Sequence, residues 1–329
     1  MDVLGRRRFL GVGAALALTS HWAQPITALA AKPRSGFTPP TAAQRTAALG
    51  SLKGLSAIEV RAFDPADHFE PMGEPEPGDW LAEHVERGQT FDQFRQSKAN
   101  RPDKRRSTIY FLPLGEFDPA WSPEMADLEA CARAFFQIPV KALPTRSMNG
   151  VQVTSRERVK GPTQYLTTDF LRMLRGELPD DGYCILGVTM QDLYPDPKWN
   201  YVFGQASLRD RVGIYSFARY DPLFWKEKRT PEARELLLVR SLEVLLHETC
   251  HMFGMSHCIY YKCLVNGSNN LEESDRQPMH LCPICLRKLQ HSVGFDVVDR
   301  DKELLKEYRR LRVTGEAEWL ERRLRFVKG

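Results

Sequence analysis

Cysteine is sparse: seven in 329 residues, too few to hold a chain of this size together as a disulfide scaffold. Charge of one sign is not in excess either. Lys and Arg number 46 against 42 Asp and Glu, intermixed, and the formal net charge of +4 leaves no basic footprint for nucleic acid. The apolar run Gly11–Thr19 is too short to span a bilayer, which takes about 20 residues. No internal repeat is visible, so a stacked-repeat architecture is excluded. What is left is an ordinary soluble chain, long enough to bury a full core in one large domain or two small ones.

The informative stretch runs from Leu245 to Lys288 and opens with His247-Glu248-x-x-His251-x-x-Gly254-x-x-His257. Residues four apart share a helix face, so His247 and His251 can grip one ion. Glu248 falls beside the metal rather than on it, where a general base for the attacking water is needed. Gly254 lets the backbone leave the helix with φ > 0 and brings His257 back as a third ligand. Three protein ligands leave a fourth position open, the mark of a catalytic zinc. Ordinary histidines on a core helix are the bland alternative, but the extended spacing is a metzincin signature.

Cys258-x4-Cys263 and Cys282-x2-Cys285 follow at once. Four thiolates close a tetrahedral shell and exclude water, so a second zinc here is structural. Disulfide pairing is the alternative. A CxxC spacing closes a strained disulfide loop yet makes an easy chelate, which favours the metal. Cys131, Cys184 and Cys250 read as buried free thiols. His68, His84, His280 and His291 read as non-ligands.

Residues 1–30 resemble a targeting segment. Arg6-Arg7-Arg8-Phe9-Leu10 precedes the apolar run, and Ala28-Leu29-Ala30 offers a cleavage site, together similar to a twin-arginine signal of bacteria. Export of a folded, zinc-loaded protein to the periplasm or medium is the expectation, without stable membrane insertion after the signal is removed. Residues 31–56 are rich in Pro, Thr, Ser and Ala and read as a linker. Residues 57–106 form an N-terminal extension with a short helical candidate near Trp80–His84.

From residue 107 to 298 strands alternate with helices, implying an α/β sandwich with a mixed sheet. Thr108–Leu112, Val140–Leu143 and Tyr183–Met190 read as strands, Pro123–Phe136 and Thr163–Arg175 as helices. Val202–Ser207 and Val212–Tyr220 flank a charged turn and form a hairpin. Thr230-Pro231-Glu232 starts the helix that carries the first two histidines. On that helix Glu243, one turn before His247, reads as either a partner supporting that ligand or a solvated residue, and solvation is the expectation. Residues 299–329 are highly charged and read as a solvated amphipathic helical segment, broken at Thr314-Gly315.

The zinc segment, with NGSN, a Glu-x-Asp segment and LCPxCxxKL after it, resembles the archaemetzincins. EPGDWL, GQTFDQF, IYFLPLG, VTMQDLYP and WNYVFGQASLRDRVGIYSFARY extend the likeness over about Asp64–Phe295. The resemblance implies a metzincin-like α+β fold with an active-site helix and a C-terminal four-cysteine zinc subdomain. It also implies two Zn²⁺ per chain: a catalytic ion on His247, His251 and His257, and a structural ion on Cys258, Cys263, Cys282 and Cys285. Glu248 would be the base of a peptidase acting on small peptides, with aminopeptidase action suggested. Metzincins hold substrate on an edge strand, for which Gly213, Ile214, Tyr215 and Ser216 are the candidates. Tyr215, Tyr260 and Tyr261 are candidate oxyanion donors. Val265 stands where the family has a methionine, and Gln277 where it usually has arginine. A non-catalytic, zinc-stabilised peptide-binding protein is the competing class.

Overall fold

The computed structural model describes residues 36–97, 99–158 and 161–329, so the targeting segment lies outside the described residues. Three N-terminal helices begin with reciprocal capping boxes. Thr41 with Gln44 starts α1 (Ala42–Leu49), and Ser56 with Glu59 starts α2 (Ala57–Phe63). After the short α3 (Trp80–Glu83), Thr90 with Gln93 starts α4 (Phe91–Gln96). Helix α1 falls inside the stretch expected as a linker. Ala48 and Leu49 are buried, and the Arg287 guanidinium donates to the carbonyls of Leu49 and Ser51. Its partner lies more than 200 residues away, so local composition gave no sign of it.

The body follows as β1 (Thr108–Leu114), α5 (Met125–Phe136), β2 (Val140–Ala142), β3 (Ser155–Arg156), β4 (Gln164–Leu166), α6 (Thr167–Glu177), β5 (Gly182–Thr189), β6 (Asp192–Tyr194), β7 (Gly204–Ser207) and β8 (Val212–Ser216). Five strands form one sheet in the order β2-β1-β5-β8-β7, parallel except for β7, which runs antiparallel to β8. β3, β4 and β6 form a small second sheet. Every residue of β1, β5 and β8 is buried, because helices cover both faces. Alternate residues serve opposite sides. Ile109, Phe111, Cys184 and Leu186 join the core under α5 and the long active-site helix, while Tyr110, Leu112, Ile185 and Ile214 pack with Phe170 and Leu174 of α6.

That long helix is α7 (Pro231–Met252), capped by the Thr230 side chain on the Ala233 amide with Pro231 in the first turn. It crosses β7 and β8. Beyond it come α8 (Leu271–Asp275), α9 (Pro283–Val293), α10 (Val297–Arg310) and α11 (Thr314–Lys328). The charged C-terminal segment is not a solvated helix. α10 and α11 pack on each other and on α5 and α2, burying Leu304, Tyr308, Leu320 and Leu324. Arg323, only 2% exposed, donates to the carbonyls of Arg61, Ala62 and Asp64 at the end of α2. Arginine stems buried this way are invisible in a charge count. No helix among the described residues is long and apolar enough to cross a membrane.

Candidate functional site

His247 and His251 stand one turn apart on α7, with their Nε2 atoms 3.0 Å apart. Gly254 takes φ +79°, and a Cβ there would fall 2.5 Å from the Ala99 Cβ. That turn returns His257 to the pair, and ligand atoms of all three histidines lie within 4.8 Å of one another. Each ring is also anchored from outside through Nδ1. His247 donates to the Leu264 carbonyl at 2.8 Å, His251 to the Met255 carbonyl at 2.6 Å, and His257 to the Glu86 carboxylate at 2.7 Å. These partners only accept, so Nδ1 carries the hydrogen and Nε2 turns a lone pair inward. Burial, then repulsion from neighbouring imidazoles, lowers His247 well below its ordinary pKa and His251 to about 4, so both stay neutral. Neutral imidazoles about 3 Å apart suit tetrahedral zinc, with Zn–N bonds of about 2.0–2.1 Å.

Glu248 lines the adjoining cavity of about 640 Å³ with His247 and His257. Burial pushes its carboxyl up to about 7, against an opposing pull from His257. β7 passes close by. A Cβ on Gly204 would meet Glu248 Oε1 at 3.0 Å.

Cys258, Cys263, Cys282 and Cys285 are all buried thiols whose sulfurs lie within 4.8 Å of one another. The Cys258 and Cys282 sulfurs are 3.6 Å apart, the separation of a chelate and not of a disulfide bond of about 2.05 Å. Hydrogen bonds from Cys263, Cys282 and Cys285 hold Cys258 well below the usual thiol range. Asn266 braces the loop: its Oδ1 accepts from the Cys263 amide, and its Nδ2 donates to the Cys258 and Tyr261 carbonyls. The two clusters are mechanically joined, because Leu264, next to Cys263, supplies the carbonyl that orients His247.

Burial makes Cys131 and Cys184 inert and pushes the Cys131 thiol up to about 12; Cys250 is raised in the same way. His280 donates to Glu316 and stacks on Trp319, and His84 stacks on Trp80, so neither joins a metal cluster.

Besides the linker, four expectations are corrected. Gly213, Ile214, Tyr215 and Ser216 belong to β8, which is flanked by β5 and β7 and has no free edge; the outer strand is β7, whose Gly204 and Gln205 line the cavity. Tyr215, Tyr260 and Tyr261 are buried away from the cavity wall, where Tyr201 and Tyr220 stand instead. Glu243 is not solvated: it lines the cavity, its Oε2 is buried without a partner, and burial pushes its carboxyl up to about 8. The charged segment after residue 298 is packed, as described above. Gln277, in the position usually held by arginine, also lines the cavity. Val265 is fully buried, with its carbonyl accepting from the Cys258 amide at 2.7 Å. Sequence reasoning missed Glu86 and Trp80 altogether. Their signal was available, since Glu86 lies between EPGDWL and GQTFDQF, two of the segments that carry the resemblance.

Three convergent imidazoles, a buried carboxyl beside them and a four-thiol cluster braced to the same loop define a zinc metallopeptidase. The family model of Peptidase family M54 matches residues 140–291. Archaemetzincin-2 of Macaca fascicularis is 40% identical over 286 residues, covering 77% of this chain and 78% of that protein. Archaemetzincin-2 of Homo sapiens is 38% identical over 282 residues, covering 77% and 78%. A crystal structure of archaemetzincin from Methanopyrus kandleri aligns at 27% identity with a TM-score of 0.44, covering 59% of this chain and 99% of that one. The chain belongs to the archaemetzincin family of zinc metallopeptidases.

Proposed function

We propose that this chain hydrolyses peptide bonds with His247, His251 and His257 holding a catalytic zinc and Glu248 acting as general base. Cys258, Cys263, Cys282 and Cys285 hold a second, structural zinc in this reading. The observation that carries it is the set of three Nδ1 hydrogen bonds, which leaves three Nε2 lone pairs converging beside a buried carboxyl. Zinc, when bound, supplies a Lewis acid. Glu248, kept basic by burial, takes the proton of the attacking water and returns it to the leaving amine. Tyr220 lines the cavity, and burial keeps its phenol protonated, so it serves as the donor to the developing oxyanion. The outer edge of β7 aligns the substrate by main-chain pairing.

Cleavage of a mixed peptide library, read by mass spectrometry, tests this reading. Products should vanish with a zinc chelator and return with added zinc. The finer proposal is aminopeptidase action on small peptides: stepwise loss from the amino end supports it, and internal cuts contradict it. A peptide-binding protein without turnover is the second reading, favoured only by Val265. Export rests on Arg6–Leu10 and the apolar run after it, and cell fractionation with Arg6 and Arg7 replaced by lysine checks it.

A further inference from the structure

Among the described residues, no lysine or arginine lines the cavity beside the three histidines, although the chain carries 46 of them. Three carboxylates line it instead: Asp196, Glu243 and Glu248. Trp80, Trp199 and Tyr220 add aromatic faces. Carboxyl acceptors and ring faces, with no cation of the chain's own among them, suit a cationic ligand better than an anionic one. Glu248 belongs to the reaction centre, but Glu243 has no assigned task. It stands one turn before His247 on the same face of α7, about 5–6 Å away at Cβ. Its Oε2 is buried with no hydrogen-bond partner. Arg240, the cation that acts on it, is held by Asp275 through bonds of 2.8 and 2.6 Å. A buried carboxyl left unpaired destabilises a fold, and such groups concentrate where a ligand completes them.

We propose that Glu243 is the specificity-determining carboxylate of the cleft, pairing with a positively charged nitrogen of the peptide substrate close to the scissile bond. This rests on the peptidase reading above. The chemistry recognised is a protonated amine or guanidinium, supplied by the α-amino terminus of the peptide or by a lysine or arginine side chain. Burial and the carboxylates of Asp275 and Glu316 keep the proton on Glu243 up to about pH 8. A substrate cation is the counter-charge that reverses this.

Binding is measured by calorimetry on the zinc-loaded full chain carrying Glu248→Ala, which removes turnover from the readout. Four versions of one lysine-containing hexapeptide are compared: free, Nα-acetylated, lysine replaced by norleucine, and both. Neutralising the recognised cation should weaken binding about tenfold. Loss on acetylation identifies the terminus, and loss on norleucine substitution identifies the side chain. Adding Glu243→Gln, of the same shape, should bring the four affinities to within about twofold. Equal affinities with Glu243 present overturn the proposal without recourse to any further variant. Discrimination that persists in Glu243→Gln overturns it too, as does failure of all four peptides to bind. The two readings fail separately. Charge discrimination in a protein whose native chain cuts nothing keeps the recognition and sinks the peptidase. Library cleavage without charge discrimination does the reverse.

Discussion

Glu86 and His257, 171 residues apart in the chain, meet at 2.7 Å between Oε1 and Nδ1. Trp80 Nε1 donates to the same oxygen at 2.9 Å. Burial works to raise the Glu86 carboxyl, but the hydrogen bonds it accepts from His257 and Trp80 help hold it below its usual range. A segment before the sheet thus fixes a ring presented after the active-site helix. Partners of this kind typically change metal affinity by about 10- to 100-fold. Glu86→Ala should therefore weaken zinc at the histidine site by about that factor, with Glu86→Gln in between. Competition against a chromogenic chelator measures it, and unchanged affinity in Glu86→Ala would contradict the role.

Trp80 is itself clamped. Its amide donates to both oxygens of Glu273, and a Cβ on Gly267 would strike its indole at 2.6 Å. Gly267→Ala should displace Trp80, strip Glu86 of a donor and lower zinc affinity at the histidines. The four-thiol ion should be weakened less, since no thiol ligand is hydrogen-bonded to Trp80, although Asn266 beside Gly267 braces their loop. Zinc titration that resolves the two sites checks both statements.

Glu243 makes stability depend on pH. Below about 4.5 the carboxyl is protonated in both states and has no effect. As pH rises the unfolded chain ionises first, so stability is lost progressively until the folded carboxyl ionises near 8. The gap corresponds to a loss on the order of 5 kcal/mol. Glu243→Gln should remove it, becoming more stable relative to the native chain as pH rises from about 5 to about 8. Denaturant unfolding of both proteins across that pH range is the measurement, and parallel pH curves would contradict the burial argument.

The four thiols are expected to hold their own ion. Cys263→Ser should reduce bound zinc from two to one per chain, because three thiols no longer close the shell. It should also lower Tm by about 10 °C, since structural zinc binding is folding free energy. Elemental analysis and thermal unfolding report the two effects. Loss of both ions together is also informative: it would mean that the Leu264 carbonyl, which orients His247, moves with the cysteine loop.

What could be read in advance was local. His247, His251 and His257 lie within eleven residues, and the helix period plus one glycine turn brings them together. The buried strands β1 and β5 announce themselves as continuous apolar runs. What could not be read depended on strand order or distant partners. Gly213–Ser216 and Gly204–Ser207 both look like half of a hairpin, and only the sheet order makes β7 the edge. Glu243 has a helical position that suits solvent equally well; its burial comes from elements elsewhere in the chain, where Tyr220, Asp275 and Glu316 approach it. The C-terminal helices looked solvated because their charged residues bury long stems and reach distant carbonyls, as Arg323 does.

The most direct measurement compares peptide cleavage by the zinc-loaded native chain and by Glu248→Ala, with zinc content determined on both. Expected are two zinc ions in each protein, products from the native chain, and a rate at least about 100-fold lower in the variant, the contribution of a positioned general base. Equal cleavage by both proteins at equal zinc content would contradict Glu248 as the base. No cleavage by a native chain holding both ions would contradict the peptidase itself.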